Sequence, residues 1–207
     1  MQNENQPIFI FGAGGHAKVL IDIVEKSSVF SLSFLVDDDP LLRGTAFLGY
    51  PVIGGKKELT ALERRVECAL IAIGNNAARC AVGQWLQANG YTLISAAHPS
   101  SQIGRAVEIG AGTVLMANTV VNPSSKVGDN VIINTGATVD HDCVIGDGVH
   151  IAPGATVCGT VKVGKKSFIG AGSTVINNIT IGKNVFIGAG TTVSSDVSDG
   201  MRIVGPR

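Results

Sequence analysis

Aromatic residues are scarce in this 207-residue chain: one Trp, two Tyr and seven Phe, 5% of the total. A core with so few rings must be filled by aliphatic side chains. Hydrophobic residues make up 45% of the chain, ample for one large domain or two small ones and too many for a disordered segment. Net charge is missing as well. Sixteen Lys and Arg balance sixteen Asp and Glu, scattered along the chain, so no basic stripe is offered to nucleic acid or to an anionic membrane. Cysteine occurs only at positions 68, 80, 143 and 158, with no C-x-x-C and no His/Cys group at zinc-ligand spacing, which predicts neither a metal site nor a disulfide framework. Long apolar runs are also lacking. The one that begins at Ile8 is broken by glycines, His16, Lys18 and Asp22, so no membrane span is expected. The opening MQNENQP lacks the basic residues of a secretory leader, which leads to the expectation of a cytoplasmic protein with reduced thiols.

Glycine, by contrast, is abundant, with 27 residues, and a repeat explains it. From Ile103 to Val193 an aliphatic residue falls at every sixth position for sixteen consecutive hexads, often followed by glycine, as at Gly104, Gly110, Gly128, Gly146, Gly164, Gly170, Gly182 and Gly188. Small or β-branched residues such as Thr113, Thr119, Ala137 and Ala155 stand two places earlier. A period of six belongs to neither an α-helix nor an ordinary antiparallel sheet. It is the period of a β-solenoid in which each hexad supplies a short strand and a turn. Three hexads close one triangular coil of 18 residues, and stacked coils stand roughly 4.8 Å apart. HIAPG from His150 and FIGAG from Phe168 and from Phe186 repeat at that longer spacing. Sixteen hexads predict about five coils.

Residues 8 to about 97 have a different rhythm. IFIF reads as a buried strand, and His16–Lys26 as a helix with Val19, Leu20, Ile23 and Val24 on one face. SFLVDDD is a second strand, YPVIGG a short edge element, Lys56–Arg65 a helix and CALIAIGNN a third strand. A helix over Ala77–Asn89 closed by Gly90 and a last strand, YTLISAAHP, complete a small parallel α/β domain. The domains are expected at 1–98 and 99–207, with the junction near HPSSQIG. Gly12, Gly14 and Ala17 fit the G-x-G-x-x-G/A fingerprint, whose glycines let backbone approach a pyrophosphate at a helix N-terminus. A full dinucleotide fold, however, needs about 150 residues. Fewer than 100 precede the solenoid, enough to grip one nucleoside diphosphate, and this disfavours an NAD enzyme.

The uninterrupted [LIV]-G-x4 hexads resemble those of the hexapeptide-repeat acyltransferases. GAGGHAK in a small α/β domain ahead of them narrows the resemblance to nucleotide-sugar acyltransferases of the PglD and NeuD type, over residues 8–205. The resemblance implies a left-handed parallel β-helix, a homotrimer, acetyl-CoA bound between neighbouring solenoids, and direct transfer without a metal. His141 in VDHDC matches the family's general base. Asp142 matches an acid that supports it, although Asp140 flanks the same histidine and leaves the choice open. A histidine suits the task because its ordinary pKa lies near ~6.5, and acyl transfer needs both a base and donors for an oxyanion.

The same resemblance makes His150 a contact of acetyl-CoA, and Ala171 and Ala189 backbone contacts of its pantetheine arm; Asn134, seven residues before His141, is placed to bond to the thioester carbonyl or the cofactor. Gly159, 18 residues past His141, is expected directly above it, where its N–H can face a developing oxyanion. Cys143 and Cys158 are expected to pack rather than react. In the α/β domain Gly14, Gly15 and His16 suit a phosphate or sugar hydroxyl, Asp37 and Asp38 the nucleoside, and Gly74 completes the crevice. The C-terminal MRIVGPR abbreviates the usual V-x-G-x-P ending. The preferred acceptor is the 4-amine of a UDP-4-amino-4,6-dideoxy-N-acetylhexosamine, as in bacillosamine-type glycan synthesis. Alternatives are sugar O-acetylation of the sialic acid type, GDP-perosamine N-acetylation, and a solenoid that binds a nucleotide-sugar without chemistry.

Overall fold

The computed structural model describes residues 5–64 and 66–205. They form two compact units that divide between Ala96 and Ala97.

The first unit is a four-stranded parallel sheet with helices between its strands. It runs β1 (Gln6–Phe11), α1 (Gly15–Ser27), β2 (Phe30–Val36), a hairpin of β3 (Ala46–Phe47) and β4 (Tyr50–Pro51), α2 (Lys56–Thr60), β5 (Cys68–Ile71), α3 (Asn76–Ala88) and β6 (Thr92–Leu93). The strand order is β2-β1-β5-β6. Ile8, Phe9 and Ile10 are fully buried, and Phe9 stacks on Phe34 and meets Tyr91 edge-on. Helix α1 turns Ala17, Leu20, Ile21, Ile23 and Val24 inward. The chain leaves β1 towards β2 on one side and returns to β5 on the other. The carboxyl ends of β1 and β5 therefore flank the switch point where α/β sheets leave a crevice.

Two expectations need correction here. The helix expected over Lys56–Arg65 has only five residues; it ends at Ala61, and Arg65 lies outside the described residues. Only Leu59 of this helix is buried, so no apolar stripe holds a longer one in place. The single strand expected over YTLISAAHP is two strands. Thr92–Leu93 pairs with β5, whereas Ala96–Ala97 joins the solenoid.

The second unit is a parallel β-solenoid of about six turns whose two-residue strands form faces of seven, six and five strands. Partners across coils are 18 residues apart, as in Ile133↔Ile151↔Ile169↔Ile187 on the seven-stranded face. Each coil donates peptide N–H groups to the next, for example His150 N to Ser167 O at 3.0 Å and Ala152 N to Ile169 O at 2.9 Å. The hexad aliphatics fill the interior, with Val139, Ile151, Val157 and Ile169 all at 0% exposure. Small residues two places before them are needed because their side chains also point inward. A hydroxyl here can bond to the next coil: Ser125 Oγ donates to Asp140 O at 2.6 Å and accepts from Cys143 N at 3.0 Å. A Cβ at Gly164 would come within 2.5 Å of the Gly182 carbonyl carbon, which explains the glycine that follows so many hexad aliphatics. The solenoid begins one hexad before the predicted series, at Ala97. It ends with a coil two residues short, in which Ile203 pairs with Ile187 and Val197 bridges to Ile181.

Interior and face should therefore differ sharply in tolerance. Ile151→Ala removes a fully buried side chain and is expected to cost about 2–5 kcal/mol in chemical denaturation. Lys162→Ala, on the exposed side of the five-stranded face, should stay within about 0.5 kcal/mol of the parent.

Candidate active site

His141 occupies the corner between the six- and five-stranded faces, after Val139 and before Ile145. The repeat fixes its surroundings. The next residue along stands in the left-handed region at five successive coils of this corner, with φ of +57° at Ala106, +64° at Ser124, +57° at Asp142, +60° at Thr160 and +63° at Asn178. At Asp142 that turn brings the carboxylate back onto its neighbour, and Oδ2 lies 2.8 Å from His141 Nδ1. Asp140 does something else. Its Oδ1 accepts from the His141 peptide N–H at 2.8 Å and from Asn122 Nδ2 at 2.8 Å. The two acids flanking His141 thus make different contacts: Asp142 bonds the ring, and Asp140 bonds the backbone N–H.

His141 is exposed, yet its pKa is raised above the ordinary value, first by the Asp142 hydrogen bond and then by the Asp140 charge. Asp140 is held below the usual carboxylate range by the Asn122 and His141 bonds. Pro123 and Gly159 lie below and above His141 in the same column, 18 residues away on either side. A Cβ at Gly159 would meet His141 Cε1 and Nε2 at 2.8 Å, so only glycine leaves room for this ring. Cys143 is buried and Cys158 partly so. Burial pushes the Cys143 thiol up, as suits a packing residue.

The residues expected to hold acetyl-CoA lie elsewhere on the solenoid. His150 points outward from the seven-stranded face, edge-on to Phe168, and its Nε2 is 3.0 Å from Asn134 Nδ2 at the corner between the seven- and six-stranded faces. Ala171 and Ala189 are exposed on that same corner in later coils. The face that carries His150 is opposite the corner that carries His141. The structure thus gathers Asn134, His150, Ala171 and Ala189 on one side, and His141, Asp142 and Gly159 on another.

In the first unit Gly14 caps α1, and Gly14, Gly15 and Gly74 have open space where a Cβ would be. His16 Nε2 is buried without a hydrogen-bond partner. Burial, helped by the Arg79 charge, pushes the His16 pKa down to about 4, so this imidazole is neutral near pH 7. Asp37 Oδ2 accepts from Ala13 N at 2.8 Å and Oδ1 from Asp39 N at 2.9 Å. This carboxylate braces the glycine turn. Asp38 accepts from Lys56 N at 3.1 Å and lines a cavity of about 260 Å³ together with Arg43, Lys56 and Glu58.

The sequence reading missed Arg79, which is buried at 1% exposure and donates to the Ile73 and Gly74 carbonyls and to Asn76 Oδ1. It also missed Asn122. The 18-residue spacing to Asp140 was the available signal. Among the described residues, no group of three or more His, Cys, Asp or Glu side chains is arranged to hold a metal ion, and no helix is long and apolar enough to cross a membrane.

Comparison with known proteins decides the family. The PglD N-terminal domain model matches residues 7–86, and the bacterial transferase hexapeptide model matches 124–159 and 160–195. A mutant of perosamine N-acetyltransferase from Caulobacter crescentus, solved with CoA and GDP-perosamine, is 38% identical. That alignment covers 96% of this chain and 93% of the other, with a TM-score of 0.92. The chain belongs to the hexapeptide-repeat nucleotide-sugar acetyltransferases. Within this family, the acetyltransferase domain of PglB from Neisseria gonorrhoeae, solved with acetyl coenzyme A, is 36% identical, with coverage of 98% and 97% and a TM-score of 0.89. The UDP-N-acetylbacillosamine N-acetyltransferase of Bacillus subtilis is 34% identical over 114 residues. The match spans 53% of this chain and about half, 51%, of that curated relative. These likenesses make the solenoid a left-handed parallel β-helix.

Gly159→Ala tests the slot above His141. The colliding atoms are the free end of an exposed ring, so the melting temperature should move by less than about 2 °C. The imidazole should swing off Asp142, and its pKa, followed by NMR, should fall towards ~6.5. An unchanged titration would mean that the coils part instead.

Proposed function

We propose that the protein transfers the acetyl group of acetyl-CoA to the 4-amine of a UDP-4-amino-4,6-dideoxy-N-acetylhexosamine. The observation that carries the chemistry is the exposed His141 imidazole, bonded through Nδ1 to Asp142 at 2.8 Å and roofed by a glycine. With Nδ1–H donating to the carboxylate, Nε2 keeps its lone pair for a proton. The amine attacks the thioester carbonyl and a C–N bond forms. His141 Nε2 takes the amine proton, and the Gly159 N–H faces the oxyanion. As the intermediate collapses, the C–S bond breaks and the proton passes to the departing CoA thiolate. Asp142, by holding the imidazolium, raises the basicity of His141.

Asn134 and His150 bind the cofactor near its thioester, with Ala171 and Ala189 along the pantetheine. Because these stand on the side of the triangle away from His141, a complete site takes one group from each of two copies, which supports a homotrimer with shared sites. Gly14, Gly15, His16 and Gly74 receive the diphosphate and sugar at the β1–β5 crevice. Asp37 and Asp38 shape the nucleoside end. We place the protein in the cytoplasm, where acetyl-CoA and nucleotide-sugars are available. A second reading, with GDP-perosamine as acceptor, is favoured by the whole-chain likeness to the Caulobacter enzyme at 38% identity. The bacillosamine likeness covers about half of each protein.

Release of free thiol from acetyl-CoA with a panel of UDP-, GDP- and CMP-sugars distinguishes these readings. The UDP-4-amino sugar should give the highest kcat/KM. No thiol release with any sugar would leave a binding solenoid. His141→Ala should lower kcat by about 10² to 10⁴. The base must be unprotonated, so the raised His141 pKa puts the acidic fall in kcat/KM above pH ~6.5. Asp142→Asn should move that fall to lower pH. Mixing His141→Ala copies with Asn134→Ala copies should recover activity, since mixed trimers contain sites that combine two intact halves.

A further inference from the structure

At most positions of the corner that carries His141, the peptide groups are satisfied by the coils below and above. Asp140 N donates to Val157 O, Asp142 N to Pro123 O, and Thr160 N to His141 O, at 2.8, 3.1 and 2.9 Å. The Asp140 carbonyl accepts from Ser125 Oγ. The His141 N–H is different, because its acceptor is a side chain, Asp140 Oδ1, at 2.8 Å. That oxygen is itself held by Asn122 Nδ2 from the coil below, at 2.8 Å. In the same column the other coils carry Gly104, Cys158, Ile176 and Ser194, so in this column the polar pair between coils is Asn122 with Asp140. The residue beside Asn122 is Pro123, which has no N–H to compete for the Asn122 side chain.

We infer that Asn122 and Asp140 are positioning residues that hold the backbone of the base: Asn122 clamps Asp140, and Asp140 holds the His141 peptide in the one orientation that keeps the imidazole between Asp142 and Gly159. This division of labour rests on the reading of His141 as the base. The two tasks are divided between the two acids flanking this histidine: Asp142 bonds the ring and Asp140 bonds the peptide. Charge on the ring comes from the same pair. The coil below presents Asn122 and Pro123 and the coil above presents Cys158, Gly159 and Thr160, and the charges that act on the ring are those of Asp142 and Asp140. The lowering of the Asp140 pKa by its two hydrogen bonds keeps this carboxylate ionised while the imidazole titrates.

The experiment compares Asn122→Ala, Asp140→Ala and the double variant, each also in a His141→Ala background. Asn122→Ala should lower kcat by about five- to fiftyfold, with KM for both co-substrates within twofold. Once Asp140→Ala is present, the Asn122 change should add little, and in the His141→Ala background it should leave the residual rate unchanged. Amide exchange of His141, read by NMR on the full chain, should quicken at least tenfold in both single variants. Unchanged kcat and unchanged exchange in Asn122→Ala would overturn the inference. So would a kcat loss that persists without His141, which would mark a structural role. If the parent transfers acetyl to no sugar, the functional reading fails, while the exchange measurement still decides whether the brace exists.

Discussion

Everything in the second unit depends on the 18-residue register between coils. Each peptide N–H on a face finds its acceptor one coil away, and the inward aliphatics stack on their counterparts at the same step. A slip of one residue turns the hexad aliphatics outward and brings the small and polar residues in, so the hydrophobic pattern and the hydrogen-bond ladder enforce the same register. The low aromatic content follows from this. A triangular interior repeating every few ångströms has space for a branched aliphatic at each step, and the two stacked phenylalanines of the late coils, Phe168 and Phe186, stand on the outer side of their strands.

The register also builds the candidate site, because a column of the solenoid is a list of residues 18 apart. Pro123, His141 and Gly159 form one such column, and Asn122 and Asp140 belong to its neighbour. No loop carries these groups. They are held by the same ladder that holds the core, the rigid placement a catalytic group requires. The two histidines of interest are tuned in opposite directions. Burial keeps His16 neutral in the first unit, while two carboxylates raise the exposed His141 in the second. An imidazole that stays neutral suits hydrogen bonding to a sugar or phosphate, and one whose proton affinity is raised by flanking carboxylates suits taking up a proton.

Much of this was legible in the sequence, for physical reasons that differ by element. The solenoid declares itself because its period is imposed on every coil. Its first step was hidden because Ala97, six residues before Ile103, is too small to register as an aliphatic marker. The short second helix could not be read because its polar residues are solvated whether helical or not, and a single buried leucine sets no length. His141 was found from its motif, but which acid orients it depends on the left-handed φ at Asp142, a property of the corner and not of the residue type. Asn122 was readable in principle by counting back 18 from Asp140. That Asp37, expected at the nucleoside, also places both oxygens on backbone N–H groups of the glycine turn and its own loop is a local demand that no spacing shows.

The slot around His141 is one coil deep in either direction, floored by a proline without an N–H and roofed by a glycine without a side chain. In a structure where each layer touches only its neighbours, that makes this imidazole a tenant of residues 122 to 160 and of little else. Whole coils added or lost beyond those limits would change the length of the scaffold and leave the slot itself intact, whereas one residue gained inside them would break the 18-residue alignment that builds it. The slot is thus portable in blocks of 18 and intolerant of any smaller change.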